Sequence, residues 1–342
     1  MASPSFAATV TEKTAAISSV HPDVIETHIL TRLDGATLAS ASCVSSQLHS
    51  LASKETLWTT ICHSTWPSTN TPRLRHIISS FRDGPRSFFS DSFTNPDPAS
   101  LPATSTSSSL DLGRPSELIS AVDIYYKNKL MFSKVVETEI VSGWFKCSPF
   151  RVDLLDPKDT VPTRIPHPAN EDTCREFAED FTLSWILIDP IGRRSMNLST
   201  YKPVTVQRHW LSGEVQVRFA SVFPGGERRS ASEFVQCGIV VTCGGAQGGE
   251  MHVREVSLQV EDMYGMNLNG KESIVILEKG LEGKRGNIKG REEEGKRKYE
   301  EYMEMKRERK ERKLRAEGRM DMLCVAFGVF TFFSLWLFIL WR

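Results

Sequence analysis

The chain has 342 residues, 42 basic and 42 acidic, so its formal net charge is zero and no nucleic-acid partner is expected from a basic excess. Its length fits about two small-to-medium domains plus linkers. Seven cysteines, odd in number, scattered and never spaced C-x-x-C, exclude a disulfide framework and a local zinc motif, so no metal and no cofactor is expected. In chain order, residues 1–19 are rich in Ser, Thr and Ala, without a basic n-region or a long apolar h-region. They predict a disordered N-terminus and no signal peptide.

Residues 20–65 carry the densest pattern. Pro22 suits a first helical turn, and Asp23 beside it complements the positive end of the helix dipole. Ile25, Ile29 and Leu33 follow four residues apart, which predicts one apolar face, and Asp34-Gly35 predicts its stop. Thr37 is the expected N-cap of a second helix carrying Leu38, Ala41, Val44, Leu48 and Leu51, and a third short helix carries Leu57, Trp58 and Ile61. Three such helices cannot bury this surface among themselves, so a partner surface is expected.

The ordered set His21-Pro22-Asp23, Ile29-Leu30-x-x-Leu33, Leu38, Val44-Ser45 and Leu57-Trp58 resembles an F-box. That module docks a protein onto the Skp adaptor of a cullin–RING (SCF) ubiquitin ligase. The family usually has Leu before the proline, where this chain has His21, and often a basic residue and an aromatic after the valine, where it has Ser46 and Leu48. The resemblance implies a non-catalytic substrate recruiter that binds a Skp-type adaptor through Pro22, Ile25, Ile29, Leu30, Leu33, Leu38, Val44, Leu48, Leu57 and Trp58. Through the adaptor it implies a cullin–RING ligase and a protein substrate.

Residues 66–116 predict a linker. Leu74, Ile77, Ile78 and Phe81 form one short amphipathic helix, and the Ser/Thr/Pro-rich run 94–115 reads as disorder. From 117 to 278 the pattern changes to short strands at 119–126, 129–136, 138–145, 150–155, 181–189, 204–210, 214–222, 234–242, 252–260 and 273–277, separated by Gly, Pro and Asp turns. Many short strands of this kind predict an antiparallel, sandwich-like domain that binds substrate. The stretches 142–145, 148–154, 184–190 and 207–211 look like those of a plant F-box family that ends in a hydrophobic tail, and the architecture is loosely similar to phloem-lectin-like domains.

No catalytic constellation is expected. Asp180, Asp189, His167, His209 and His252 are dispersed in sequence, Cys62-His63 lack convergent partners, and the sequon at Asn197 reads as a plain loop. The glycine-rich run 244–249 lacks the Lys-Ser/Thr of a phosphate loop and predicts a hairpin tip. Arg208 and His209 are the candidate substrate surface, whereas Trp185 and Trp210 are expected in the core.

Residues 284–319 predict a charged helical stalk. Glu–Lys or Glu–Arg pairs four residues apart recur at 292/296, 293/297, 294/298, 308/312 and 311/315. Residues 323–341, with Leu323 and Trp341 at their ends, are uncharged and reach about 28 Å as a helix, enough for a bilayer's hydrocarbon core. Lys306, Arg307, Arg309, Lys310, Arg312, Lys313, Arg315 and Arg319 precede them, which predicts cytosolic N-terminal domains on a single-pass, tail-anchored protein of the endoplasmic reticulum or another internal membrane, in contact with membrane lipid. The expected class is therefore α+β and multidomain: a three-helix F-box, an antiparallel sandwich-like domain, a charged helix and one transmembrane helix. The competing expectation is a membrane-anchored lectin-like or ligand-binding module that assembles no ligase.

Overall fold

A computed structural model describes residues 20–93, 115–168, 171–225, 234–246, 248–285 and 291–342. The disorder expected at 1–19 and through most of 94–115 falls outside these residues. The N-terminal helices are more broken than their apolar spacing predicts. Helix α1 (Pro22–Val24) passes into a π turn (Ile25–Ile29) and a 3-10 turn (Leu30–Arg32). The Leu30 amide donates back to Ile25 as well as Glu26, and the Thr27 and Thr31 hydroxyls donate to carbonyls four residues earlier, a bonding mode that bends helices. The wider turn buries Ile25 and Leu30 and turns Ile29 outward, so the single face Ile25–Ile29–Leu33 does not form.

Helix α2 (Gly35–Ala41) is capped by Asp34, whose carboxylate accepts from the Thr37 amide at 2.8 Å; Thr37 is inside the helix and not its cap. Gly35 also lies within α2, where an added Cβ would stand 2.2 Å from Phe89 Cζ, so this glycine serves close packing. The second expected helix is two: the chain turns at 42–44, and the Ser45 hydroxyl caps α3 (Ser46–Ala52). Helix α4 (Glu55–Thr65), a 3-10 turn (Pro67–Asn70), α5 (Pro72–Ser79) and α6 (Pro85–Phe93) follow. Their aromatic rings interlock, with Trp58–Phe89 centroids 5.4 Å apart and Trp66–Phe89 5.1 Å apart. Residues 66–93 are thus part of the same helical core as 20–65.

Among the described residues all strand pairs are antiparallel and lie in two sheets. The first holds β1 (Glu117–Tyr126), β2 (Lys129–Glu139), β5 (Phe181–Asp189) and β6 (Arg194–Asn197) in the order β2-β1-β5-β6. The second holds β3 (Arg151–Asp153), β7 (Thr205–Arg208), β8 (Val215–Pro224), β9 (Phe234–Gly244) and β10 (Glu250–Asp262) in the order β3-β10-β9-β8-β7, with β4 (Val161–Pro166) also on β10. Two expected strands give way to helices, one only in its second half. Ser142 accepts from the Phe145 amide and caps α7 (Gly143–Cys147), which ends the strand expected through 145. The expected strand 273–277 lies inside α9 (Gly270–Glu282), where Asn269 caps the Glu272 amide and Ser273, Ile274, Leu277 and Leu281 are buried at helical spacing. A short apolar run such as Ile274-Val275-Ile276-Leu277 fits either period. Helix α8 (Glu171–Asp180), β4 and β6 had no counterpart among the expected elements.

Strand alternation sorts β1 into two cores. Leu118, Val122 and Ile124 pack between the sheets with Val217, Phe219 and Ile239, whereas Ile119 and Ala121 pack with Ile186 and Ile188 beneath the helices. All nine residues of β5 are consequently buried. The layers run helices, four-stranded sheet, second sheet. Asp123 pins the first two together: its buried carboxylate accepts from the Ser68 amide at 3.0 Å, the Ser68 hydroxyl at 2.5 Å and the Ser133 hydroxyl at 2.7 Å. Burial pushes this carboxyl up, against the lowering effect of those hydrogen bonds. Replacing Asp123 by Ala strands both Ser68 donors and is expected to cost about 2 kcal/mol or more. The folded form holds this proton more tightly than the unfolded chain, so Asp123's contribution to stability falls as pH rises from the ordinary carboxylate value through the raised one, then stays level. Urea titrations over that window should show the fall in the wild type and its absence in Asp123→Asn; identical pH slopes would contradict it.

Helix α10 (Arg291–Trp341) is continuous over 51 residues, about 77 Å long. Its first turns are not a free-standing stalk. Tyr302 is fully buried, its hydroxyl donates to the Asp262 carbonyl at 3.1 Å, and Lys306 approaches Glu261 at 3.9 Å. Beyond that point the helix stands apart from the sheets. The expected pairs 294/298, 308/312 and 311/315 form, and Arg297 pairs forward with Glu301.

Candidate functional site

The ten side chains expected to dock an adaptor divide by burial. Ile25, Leu30, Leu38, Leu57 and Trp58 are held in the chain's own core, and Trp58 Nε1 donates to the Ala52 carbonyl at 2.7 Å. Leu33 and Leu48 are half-buried and lean on that core. Pro22 is exposed, as are Ile29 at 48% and Val44 at 70%. Val24, absent from the expected set, is exposed as well. The π turn aims Ile29 outward, and the break at 42–44 does the same for Val44. These four apolar side chains are exposed among the described residues of the N-terminal segment. A partly exposed ion pair between Lys54 and Glu26 links the start of α4 to the π turn.

The candidate substrate residues sit where β7 turns into β8. The His209 amide donates to the Glu214 carbonyl at 2.7 Å, and the Gly213 amide donates to the His209 carbonyl at 2.9 Å. Gly213 adopts φ +72°, where a side chain is strained. Arg208 Nε donates to the Gly213 carbonyl, and the Ser212 amide donates to His209 Nδ1. Arg254 hydrogen-bonds Glu214 at 2.6 Å and holds its carboxyl below the usual range. This bonded turn presents Trp210, 88% exposed, and Leu211. Trp185 is core as expected, but Trp210 is not, because the strand ends two residues before it. Sequence gives Trp210 the same alternation whether β7 ends at 208 or 210, so nothing local marked its exposure.

The remaining reactive groups have structural surroundings. Cys62 is buried, which pushes its thiol up to about 12, and its sulfur donates to the Pro85 carbonyl. Asn197 is fully buried, not a surface loop: its side-chain oxygen accepts from the Ser199 amide at 2.9 Å and the Trp185 amide at 3.3 Å. Among the described residues no group of three or more His, Cys, Asp or Glu could hold a metal ion. At the other end, α10 carries one stretch apolar and long enough to cross a membrane, with mean hydropathy 2.4 and none of it buried by the other described residues.

Comparison with known proteins places this geometry. Residues 22–64 match the family model described as F-box-like. The chain is 53% identical to the probable F-box protein At2g36090 of Arabidopsis thaliana, across 100% of this chain and 99% of that protein. It is 45% identical to F-box protein At2g27310 of the same plant, across 95% of this chain and 97% of the relative. A third Arabidopsis thaliana relative, F-box protein At3g44326, is 48% identical across 87% and 83%. No solved structure matches the chain.

Proposed function

The chain belongs to the plant F-box protein family, and from that premise we propose that it is a membrane-anchored substrate recruiter of an SCF ubiquitin ligase. As an F-box protein it is a non-catalytic adaptor. The segment 20–65 docks a Skp-type adaptor, and through it a cullin–RING ligase. The observation that carries this is the set of outward apolar side chains, Pro22, Ile29 and Val44, within the segment matched as F-box-like. Ile25, Leu30, Leu38, Leu57 and Trp58 support docking indirectly, by holding the backbone that presents them.

The unit 117–278 captures the protein substrate, with the turn of Arg208, His209, Trp210 and Leu211 as its contact surface. Aromatic and Arg residues on a rigid turn are the side chains over-represented in binding hot spots. Residues 323–341 span an internal membrane such as the endoplasmic reticulum. The basic residues from Lys306 to Arg319 keep the functional domains cytosolic and meet anionic headgroups. Anchoring raises the ligase's effective concentration near membrane-bound substrates.

Affinity purification of the detergent-solubilised full chain from plant cells tests the proposal. Skp-type adaptor and cullin are expected in the eluate in amounts comparable to the bait. Their absence from a folded bait would overturn the ligase assignment and favour a ligand-binding module without a ligase.

A further inference from the structure

Among the described residues the helical layer does not cover the whole outer face of the four-stranded sheet. It covers Ile119, Ala121, Ile186 and Ile188, and its described rim is Trp66 and Phe93, while β1 and β5 continue. Beyond that edge a cavity of about 630 Å³ opens between the end of α4, the sheet and the first turn of α10. Its floor is the cross-strand pair Tyr125 and Thr182 with Ser184 beside them, and Tyr201 and Glu292-Glu293 stand around it. The volume lies within the range of small-ligand sites, about 300–1,000 Å³.

The lining restricts what fits. Thr182 is 8% exposed and Ser184 6%, and among the described residues neither hydroxyl has a hydrogen-bond partner, so both are offered to the cavity. A purely apolar occupant would strand them. The Tyr125 hydroxyl donates to the Thr65 carbonyl at 3.1 Å, which leaves its oxygen able to accept. Among the described residues the lining contains no Lys, Arg or His, and Glu292 and Glu293 have no ion-pair partner, whereas neighbouring Glu294 is paired with Lys298. Anions are therefore disfavoured. Aromatic faces with unpaired carboxylates attract cations through the ring quadrupole and through charge-assisted hydrogen bonds.

We infer that this cavity binds an organic cation, an ammonium or guanidinium on a short stem, with the stem against Phe93 and Tyr201 and the charge toward Glu292 and Glu293. The chemistry has two sources, a free polyamine or a Lys or Arg side chain of a protein. It goes beyond adaptor docking, which uses other residues, so either can fail alone.

The test is calorimetric titration of the full chain in nonionic detergent with spermidine, with a capped Ala-Arg-Ala peptide, and with myo-inositol as an uncharged control. At least one cation is expected to bind and inositol not to. Binding of spermidine alone assigns a free amine, and binding of the peptide assigns a protein side chain. Affinity should fall about tenfold in Glu292→Gln/Glu293→Gln, whose sites are exposed, and also in Ser184→Ala. Thr182→Val is the second floor variant should Ser184→Ala fold poorly by thermal melt. No binding of either cation, or equal binding of inositol, overturns the inference. So does a loss confined to the glutamate variant, which would report counterions on the outside of α10.

Discussion

Replacing Pro22, Ile29 and Val44 together by Ala is expected to remove the Skp-type adaptor from the purified full chain while leaving its melting temperature nearly unchanged. Truncating an interface anchor typically costs more than about 1 kcal/mol, so three together weaken binding roughly a hundredfold. The same changes touch little of the core, since Pro22, Ile29 and Val44 are exposed, and each should alter stability by about 0.5 kcal/mol or less. Trp58→Ala is the informative contrast. Its ring is 2% exposed and packs tilted against Phe89, so its loss should cost about 3–5 kcal/mol of stability. Adaptor recovery and a thermal melt on each variant separate the two roles. Full adaptor recovery by the folded triple variant would mean that docking uses another surface.

That contrast shows where sequence was sufficient. The F-box segment was legible because its residue types occur in order at fixed intervals, from Pro22 to Trp58. Which of them face outward was not. Burial depends on a π turn that two threonine hydroxyls help to set, and on a break after Ala41, and neither alters the apolar count. Strands such as β8 were legible because Val215, Val217 and Phe219 alternate to one face. α9 was misread because its four-residue apolar core segment satisfies both periods. The joining of the helices to the sheet rests on Ser68 and Asp123, 55 residues apart, and no local pattern announces such a bond. The cavity behind Tyr125 is similarly a product of segments distant in sequence, from Ser64 to Glu293.

Deleting residues 323–342 is expected to move the protein from the membrane pellet almost entirely to the supernatant. The stretch has no compensating burial, so in water its apolar surface would be left exposed, whereas in a bilayer its backbone groups are satisfied within the helix. Truncation should leave the body folded, because Tyr302 and Lys306 still hold the remaining helix against Asp262 and Glu261. From Lys306 to Leu323 the helix extends about 25 Å, which would set the stand-off of the body from the bilayer. Carbonate extraction and fractionation of both forms check this. A full-length protein already soluble without detergent would mean that the apolar helix packs against another protein.

The most direct measurement titrates purified Skp-type adaptor onto the full chain reconstituted in a lipid nanodisc. One adaptor per chain, with affinity lost in the Pro22, Ile29 and Val44 triple variant, is the predicted result. No saturable binding to a nanodisc-inserted chain whose melt shows it folded would contradict membrane-anchored recruitment to an SCF ligase.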